Sequence, residues 1–559
     1  MSIEKKANRS PWSWIPTLYF AEGIPYIIVM FVASDMFKTM GVPNAKLAFW
    51  TSMLYLPWVI KPLWSPFIDQ YSTKRNWIVW MQIILGVAFI GISLVLQLPW
   101  WFQLSMVFLY LMAFTSSTHD IAADGFYMLA LNDHEQAFFT GIRSVFYRLA
   151  MIFGLGALVM ITGVILDNTG LETVELQVKA VNQTEITEIA TSENIEIIQE
   201  DGEPRIVVYP TDVKIPLYNE TDENPSDSTN IFFTLSAKPI DDKAITMTFG
   251  LKKGSADIFL VRGDVIKFNK DNWNIPQMAT FKVDKNLHEI AQARFDAKAG
   301  NVPFSWSMSL GFVGLMFILF SIYHKFLLPH PEDGQTLEKE QDKDSYFEIF
   351  ASFFRKKGIV PSVAFLLLYR FSESQLTKMA SPFLLDAREN GGLALSLTEK
   401  GFAYGTVGLL ALVFGGLLGA YLGSKHGLKK WIWWMAIGIN IPNIVYIIMS
   451  YNMPDSRLVI NSFIAIEQFG YGFGFAGYML YMLYVAGQGK HKTAHFAITT
   501  AFMALGMMIP SAISGFVQEA LGYQHFFLYV IACTIPSFLA LFFIKIDPVF
   551  GKKTKEEVE

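Results

Sequence analysis

Long runs of residues without an acidic or basic side chain constrain this chain more than any other feature. Two of them extend over residues 77–98 and 431–448. A helix of about 20 apolar residues spans the ~30 Å hydrocarbon core of a bilayer. Because 52% of the 559 residues are hydrophobic and only 17% are charged, these runs dominate the chain. The sequence therefore predicts a polytopic membrane protein and excludes a soluble enzyme, a disordered chain and a nucleic-acid binder.

Twelve apolar runs are long enough to form membrane helices, and they fall into two groups of six. Five helices precede a polar segment, the sixth follows it, and a charged segment separates the sixth from the last six. We predict an all-α polytopic fold with a β-rich insert between helices 5 and 6. The predicted divisions are 1–166 for helices 1–5, 167–300 for the insert, 301–328 for helix 6, 329–358 for a central loop, 359–546 for helices 7–12 and 547–559 for a tail.

Basic residues are concentrated in the short loops on one side of the predicted membrane. These loops contain residues such as Arg75 and Lys430, whereas the opposite short loops offer little beyond Lys38, Lys46 and Arg457. Short loops rich in lysine and arginine stay in the cytoplasm. We therefore expect both termini and the central loop to be cytoplasmic, and the insert to lie on the other side of the membrane.

Two segments of the chain, residues 65–80 and 419–434, are similar to each other. Each closes an apolar helix, passes through a short basic loop and opens the next helix with tryptophans. One explanation is that any short cytoplasmic loop is basic, but the matching order favours an internal repeat, as in transporters built from two parallel six-helix halves. The loops resemble the signature between helices 2 and 3 of the major facilitator superfamily. This resemblance implies a gating role for Asp69 and Arg75, while Gly423 occupies the acidic place in the second copy.

Several ionisable side chains fall inside the predicted helices. Such a group costs ~2.5 kcal/mol or more at the bilayer centre and therefore faces a cavity or a partner. The set is Glu22, Lys61, His119, Asp120, Asp124, Arg143, Arg148, Arg370, Glu373, Lys378, Asp386 and Glu467. Asp120 and Asp124 are four residues apart and share one helix face, a spacing that suits a reversible proton site. His119 either titrates near neutral pH or makes an interhelical hydrogen bond.

Ion pairing between helices is the alternative explanation for these charges. We favour it for Arg143 and Asp386, which lie near helix ends, and favour a functional role for Lys61, Asp120, Asp124 and Arg148. Helices 1 and 7 hold corresponding places in the two halves, and both are interrupted, at Gly23 to Pro25 and at Ser381 and Pro382. Paired interruptions of this kind mark the binding site and the parts that flex.

The motifs in these helices resemble those of the AmpG-like muropeptide permeases, a branch of the major facilitator superfamily related to the acetyl-CoA transporters. The resemblance rests on YFAEGIPY at 19–26, LPWVIKPLWSPFID at 56–69, HDIAAD at 119–124, YRL at 147–149, YR at 369–370, PFLLD at 382–386 and Glu467 followed by glycines. It covers nearly all twelve helices but not the insert. It implies a symporter of the inner membrane that uses the proton motive force to import anhydro-muropeptides for peptidoglycan recycling, with the insert in the periplasm.

The resemblance and the intramembrane charges together define the candidate site residues. A muropeptide carries carboxylates, which basic side chains can receive, preferably through an arginine fork, and sugar rings, which aromatic side chains can stack against. The substrate-binding candidates are Lys61, Arg148, Arg370, Glu22, Glu373, Tyr26, Trp58 and Glu467. The proton-coupling candidates are Asp120, Asp124 and His119, with His119 in the place where the family usually has glutamine.

The insert, residues 167–300, contains short runs in which apolar and polar residues alternate. Examples are residues 174–178, 244–249 and 281–283. Alternation with a period of two indicates β-strands, and a β-sandwich of ~100 residues fits this length. Residues 231–284 faintly resemble a Calx-β module. No dense acidic cluster is visible in the insert, so we predict no bound metal and interpret it as a structural cap on the outer face.

Two other functions stay open at this point: transport of another anionic solute, such as a CoA ester or a siderophore, and a membrane sensor in which the β-domain binds a ligand. We do not expect an enzyme, because no nucleophile–base pair or cofactor-binding loop is visible. The single cysteine, Cys533, excludes disulfides and a cysteine-based metal site. We expect no cofactor and a monomer whose partners are a small-molecule substrate, protons and the lipid bilayer, with no nucleic acid.

Overall fold

The computed structural model describes residues 9–65, 68, 72–131, 133–182, 202–217, 228–239, 245–255, 257–284, 287, 289–330, 346–488 and 492–550. Within these residues, seven helical stretches are long and apolar enough to cross a membrane: Pro11–Thr39, Lys74–Val95, Val145–Thr169, Val302–Leu327, Leu397–His426, Leu428–Asn452 and Ala494–Phe543. We label the helical segments at the twelve predicted positions α1 to α12 in chain order.

Prolines divide the first two helices into shorter pieces. Proline lacks the N–H that an interior helical position donates. Pro25 lies in α1, where a π-helical turn begins three residues later, and Pro57 and Pro62 each stand in the first turn of a helical piece of α2. The segments are α1, Ile15–Ile27, Ile28–Val32 and Ala33–Thr39; α2, Asn44–Met53, Leu56–Ile60 and Lys61–Leu63; α3, Lys74–Val95; α4, Trp101–Ala130; and α5, Asp133–Met151, Ile152–Leu158 and Val159–Thr169.

Local signals also set the ends of the later helices. Ser396 and Glu399 form a capping box that starts α8, and Gly522, with a φ of +69°, separates α11 from α12 within Lys492–Ala532. The segments are α6, Val302–Leu327; a short helix, Tyr346–Phe354; α7, Ile359–Leu368 and Phe371–Leu385; α8, Leu397–Phe402, Ala403–Gly408 and Leu409–His426; α9, Leu428–Asn440, Ile441–Asn443 and Ile444–Asn452; α10, Arg457–Gly487; α11 and α12, Lys492–Ala532, with α12 continuing through Thr534–Phe543.

Glycines allow α8 and α10 to pack with their backbones in contact. A Cβ added at Gly415 would lie 2.0 Å from the carbonyl oxygen of Phe469, and one added at Gly472 would lie 2.0 Å from that of Leu412. Small residues at helix interfaces permit this close approach within membranes. The packing of the second half of the bundle therefore depends on the absence of side chains at these positions.

Replacing Gly415 with alanine should destabilise the protein, whereas replacing its neighbour Gly416 should not. The new methyl group at Gly415 would overlap backbone atoms, and overpacking of this kind costs about 1–3 kcal/mol. A Cβ at Gly416 meets its nearest atom, the Gly472 carbonyl oxygen, only at 3.6 Å. Thermal unfolding of the two variants in detergent measures the difference. Equal midpoints for both would contradict the close helix contact.

A β-rich region lies between α5 and α6, where the sequence predicts one. Its strands are β1, Leu171–Val181; β2, Ile206–Tyr209; β3, Val213–Pro216; β4, Ser228–Leu235; β5, Ile245–Gly254; β6, Ile258–Arg262; β7, Val265–Phe268; β8, Gln277–Val283; and β9, Ala291–Ala299. They form a five-stranded sheet in the order β3-β1-β9-β5-β7 and a four-stranded sheet in the order β2-β4-β8-β6. β1 and β3 pair in parallel, and the other neighbours pair antiparallel. We call this unit the β-domain.

The two sheets of the β-domain share one apolar core. Phe249 and Phe295 from the first sheet meet Phe233 and Phe281 from the second, with ring centroids 4.6 to 5.7 Å apart. Edge-to-face and tilted contacts at this spacing are favourable for aromatic rings. The alternation along each strand thus places one face of each sheet in a core that is separate from the helices.

The β-domain begins and ends in the first half of the bundle but rests on the second half. The backbone N–H of Leu251 donates to Glu389 Oε2 at 2.9 Å, and Lys252 Nζ donates to the carbonyl oxygen of Ala394 at 3.2 Å. Glu389 and Ala394 belong to the loop between α7 and α8. Burial at this contact raises the pKa of Glu389 and lowers the pKa of Lys252. Both charged groups are therefore partly removed from water where the β-domain docks.

The two halves of the bundle, α1–α6 and α7–α12, meet at the end that carries the β-domain. Lys38 Nζ on α1 lies 2.5 Å from Asp386 Oδ1 at the end of α7. α5 and α8 approach so closely that a Cβ on Gly405 would lie 2.0 Å from the Cα of Gly156. The halves are therefore closed against each other at the β-domain end. We call the opposite end, where the chain begins, the terminus end.

Candidate functional site

A cavity with about 840 Å³ of empty space, part of it open to the outside, lies between the two halves. Helices α1, α2 and α5 line it from the first half, and helices α7, α8, α10 and α11 line it from the second. Its polar and aromatic lining includes Ser34, Asp35, Tyr55, Lys378, Lys400 and Tyr471. Pockets at the interface of two halves are common solute sites in transporters.

A group of charged side chains inside the first half, the acid cluster, consists of Glu22, Lys61, Asp120, Asp124 and Arg143. Lys61 Nζ lies 2.5 Å from Asp120 Oδ2, and Arg143 Nη1 lies 2.9 Å from Asp124 Oδ1. Asp120 and Asp124 stand one turn apart on α4, and each has its own cation. With Glu22 added, the acid cluster contains three acids and two cations.

Glu22 has no cationic partner of its own within the acid cluster. It is 8% exposed and close enough to Asp120 and Asp124 for the like charges to repel one another, while its Oε2 atom has no hydrogen-bond partner among the described residues. Three ionised acids beside two cations leave one negative charge unbalanced, and like charges this close favour a proton on one of the acids. The acid cluster therefore holds a place for one proton between α1 and α4.

Exposure within the acid cluster increases towards the terminus end. The side chains of Lys61 and Asp120 are 23% and 24% exposed, whereas those of Arg143 and Asp124 are 34% and 45% exposed. α4 runs from the β-domain end towards the terminus end, and Asp124 lies one turn further along it. The exposure of these acids therefore increases along α4 towards the terminus end, while the β-domain end is closed.

Arg370 and Glu373 form a bidentate pair at the break inside α7. Arg370 Nε donates to Glu373 Oε2 at 2.7 Å, and Arg370 Nη2 donates to Glu373 Oε1 at 3.1 Å. Arg370 also donates to the Tyr471 hydroxyl at 2.9 Å, and Thr377 donates to Glu373 at 2.8 Å. Both charges are buried, so this pair satisfies its own hydrogen-bonding capacity within the second half.

The other substrate-binding candidates take varied positions. Tyr26 and Trp58 pack edge to face with centroids 5.3 Å apart. Glu467 is buried and accepts a hydrogen bond of 2.9 Å from Gln468, which lines the cavity. Arg148 is half-buried on α5. Their substrate-binding roles stay predictions.

His119 takes part in a chain of interhelical hydrogen bonds. His119 Nε2 lies 3.0 Å from Gln82 Nε2, Gln82 Oε1 lies 2.8 Å from His324 Nδ1, and His324 Nε2 lies 3.0 Å from Thr17 Oγ1. The chain joins α4, α3, α6 and α1. His119 therefore makes the interhelical hydrogen bond that was one of its two expected roles. Its part in proton coupling stays a prediction.

The structure describes only one of the two gating candidates, Arg75. Asp69 lies outside the described residues. Arg75 donates to the backbone carbonyl oxygens of Lys325 and Leu328, where the last carbonyls of α6 have no helical donor. The gating role of Asp69 and Arg75 stays a prediction.

A second group of charged and hydroxyl-bearing side chains, the crossing cluster, joins the two halves across the cavity. It consists of Asp35, Lys400, Ser381, Lys378 and Thr51. Lys400 Nζ on α8 lies 2.5 Å from Asp35 Oδ2 on α1, and these side chains are 4% and 0% exposed. Ser381 donates to the other oxygen of Asp35, and Lys378 Nζ donates to Thr51 Oγ1 at 2.7 Å.

The sequence did not predict the crossing cluster. Asp35 lies in an apolar stretch of the first predicted helix, and the same rule that selected Glu22 would have selected it. Lys400 stands at the start of the eighth predicted helix, where a lysine is ordinary. Lys378 was recognised as an intramembrane charge but was not assigned to substrate binding.

A match to a family model covers part of the first half of the chain. A model of the BT1 family matches residues 21–224. The provisionally named transporter AmpG 2 of Rickettsia typhi is 24% identical over 205 residues, which are 36% of this chain and 48% of that protein. The provisionally named transporter AmpG 1 of Rickettsia felis is 28% identical over 187 residues, which are 34% of this chain and 41% of that protein. The chain spans about half the length of the curated relatives it matches.

Solved structures resemble the whole chain in fold. A bacterial homologue of the human lysosomal transporter Spinster, in an inward-facing and unoccupied conformation, has a TM-score of 0.55 at 14% identity and covers 96% of both chains. The nucleoside transporter NupG has a TM-score of 0.56 at 11% identity over 95% of this chain and 98% of its own. The chain therefore has the fold of the major facilitator transporters and, over residues 21–224, the sequence pattern of the BT1 family, together with similarity to AmpG transporters.

Proposed function

We propose that the chain is a proton-coupled secondary transporter that imports anhydro-muropeptides from periplasm to cytoplasm by alternating access. The observation that carries the proposal is the acid cluster, with three acids and two cations inside a helical bundle of transporter fold. In this proposal twelve helices in two six-helix halves cross the inner membrane, both termini are cytoplasmic, and the β-domain is a periplasmic cap. The similarity to AmpG transporters supports this solute class.

The charge balance of the acid cluster explains how a proton could be coupled to movement. With one proton on one of the three acids, the remaining two negative charges match Lys61 and Arg143. Without that proton the cluster carries a net charge of about −1. A net charge inside the bilayer is unfavourable. The two halves can therefore enclose the cluster most easily when it is protonated. This links proton binding to the switch between outward-open and inward-open states.

Alternating access requires that the contacts at the β-domain end separate. Here they are formed, with Asp386 on Lys38 and with Gly405 against Gly156. The acid cluster is meanwhile exposed towards the terminus end. This arrangement is what release to the cytoplasm requires, and entry from the periplasm would need the two halves to part at the seam beneath the β-domain.

The cavity offers aromatic and hydrogen-bonding contacts for the sugar rings of a muropeptide. Tyr55, Tyr404 and Tyr471 line it, and tyrosine rings provide faces for sugars and hydroxyls for hydrogen bonds. Lys61 and Arg370 were expected to receive solute carboxylates. Because each already has an acid within 2.7 Å, charge balance within the helices is the role that their geometry supports best.

Uptake by the full chain in reconstituted vesicles tests the proposal. Labelled anhydro-muropeptide should accumulate when the outside is acidic, and an ionophore that collapses the gradient should stop it. With one proton per solute, a gradient of one pH unit supports about tenfold accumulation, since one unit corresponds to about 1.4 kcal/mol. Stronger competition by a CoA ester or a siderophore would reassign the solute, and accumulation without a gradient would contradict proton coupling.

A further inference from the structure

Lys378 is a buried basic side chain whose hydrogen-bond partners are neutral hydroxyl groups. Its Nζ donates to Thr51 Oγ1 at 2.7 Å and lies 3.5 Å from Ser34 Oγ. The Thr51 hydroxyl gives its own proton to the carbonyl oxygen of Leu47 at 2.7 Å, so it is an acceptor for Lys378. An ammonium group has three N–H donors. Two point to hydroxyls of the first half, which leaves the third for the cavity that Lys378 lines.

The other cations near the cavity already have acidic partners. Lys400 is paired with Asp35 at 2.5 Å, Arg370 with Glu373 at 2.7 Å, and Lys61 with Asp120 at 2.5 Å. Asp35 also accepts from Ser381, and its single negative charge lies near two cations, Lys400 at 2.5 Å and Lys378 at a longer distance. Among the described residues, no carboxylate lies within 4 Å of Lys378 Nζ. Lys378 is therefore the cavity cation whose charge a bound solute could balance.

The absence of a carboxylate within 4 Å among the described residues matters because Lys378 is buried. Lys378 is 6% exposed, and a buried charge without an opposite charge is unfavourable even when hydroxyls solvate it. A carboxylate that entered the cavity would supply the opposite charge and accept the third N–H. An amide at the same place would accept the hydrogen bond but would leave the charge unbalanced.

We propose that Lys378 is the recognition site for a carboxylate of the transported solute. This inference rests on the proposed transport function but does not depend on the solute being a muropeptide. Thr51 and Ser34 belong to the first half and Lys378 to the second, so the solute carboxylate would bind where the two halves meet. Solute binding would then stabilise the contact between α7 and the first half.

The test compares acids with their matching amides. Wild-type and Lys378→Gln chains are purified at full length, and binding is measured by thermal shift for three pairs: anhydro-muropeptide, a tripeptide and a dicarboxylic acid, each with its amidated form. We expect wild type to bind an acid about 10- to 100-fold more tightly than its amide, as hydrogen bonds to charged groups allow. Lys378→Gln should lose this preference and bind the amide as before, and Lys378→Arg should keep the preference.

Lys430→Gln, at an exposed position outside the cavity, is the matched control and should behave as wild type. A structural role for Lys378 would weaken acid and amide binding equally, and that result would overturn the proposal. An acid preference in Lys378→Gln, or none in wild type for any pair, would also overturn it. If the muropeptide pair shows no binding while another pair shows a Lys378-dependent preference, the proposed solute is wrong and the role of Lys378 stands.

Discussion

Replacing Glu22 with glutamine should uncouple solute movement from the proton gradient. Glutamine has nearly the shape of protonated glutamic acid, but it cannot release a proton. Wild type should accumulate solute about tenfold for one pH unit. In vesicles the variant should stop at about equal concentrations on both sides, while exchange of labelled for unlabelled solute continues at a rate close to that of wild type.

Two further variants make this result specific. Glu348→Gln removes an exposed carboxylate that pairs with Arg355 on the surface and should leave accumulation unchanged. Asp124→Asn tests the most exposed acid of the cluster. If Glu22→Gln still accumulates solute with the gradient, the proton site is not at Glu22 and Asp124 becomes the candidate. Loss of exchange together with accumulation would show that Glu22 is needed for the structure instead.

Replacing Asp35 with asparagine should open the bundle at the β-domain end. The change leaves Lys400 buried without its partner, and breaking a buried ion pair from one side costs about 3–5 kcal/mol. Because the pair joins α1 to α8, this cost falls on the closed arrangement. A cost of 3 kcal/mol changes the ratio of closed to open states about 100-fold. Spin labels at Lys46 and Ala520, in a Cys533→Ser background, should report a longer distance.

A double variant distinguishes the effect of the unpaired Lys400 charge from other effects of the Asp35→Asn substitution. Asp35→Asn combined with Lys400→Gln removes both charges and should restore most of the closed population, since replacing both partners is far less costly than removing one. Glu175→Gln is the control, because its pair with Arg294 is exposed on the β-domain and such pairs contribute about 0–1 kcal/mol. An unchanged distance in Asp35→Asn, or a longer one in the double variant, would contradict the role of the crossing cluster.

The parts of the fold that could be predicted are those whose cause is local. Bilayer helices need runs of apolar residues, so α3 and α6 were visible directly. Alternation at residues 174–178 placed a strand inside β1, Leu171–Val181, because one face of each sheet is buried. Asp120 and Asp124 share a face of α4 since the helical period fixes it.

The parts that could not be predicted depend on which distant segments meet. Lys400 and Asp35 are 365 residues apart in sequence, and Lys378 and Thr51 are 327 apart. No local pattern encodes such a pairing. Arg370 and Glu373 are different, because their spacing of three residues places them side by side on a helix, and that spacing was available as a signal for a self-contained pair.

The docking of the β-domain also has a consequence for how the chain is assembled. The domain has its own core and ends at Ala299, whereas Glu389 and Ala394, on which it rests, follow only after α6 and α7. Domains generally fold in order during synthesis, so the β-domain is complete before its docking loop exists. The contacts of Leu251 and Lys252 with that loop form only when α7 is in place. Docking is therefore possible only after α7 and the loop that follows it have been made. In a chain truncated after α6, the docking surface of the β-domain around Leu251 and Lys252 would stay uncovered.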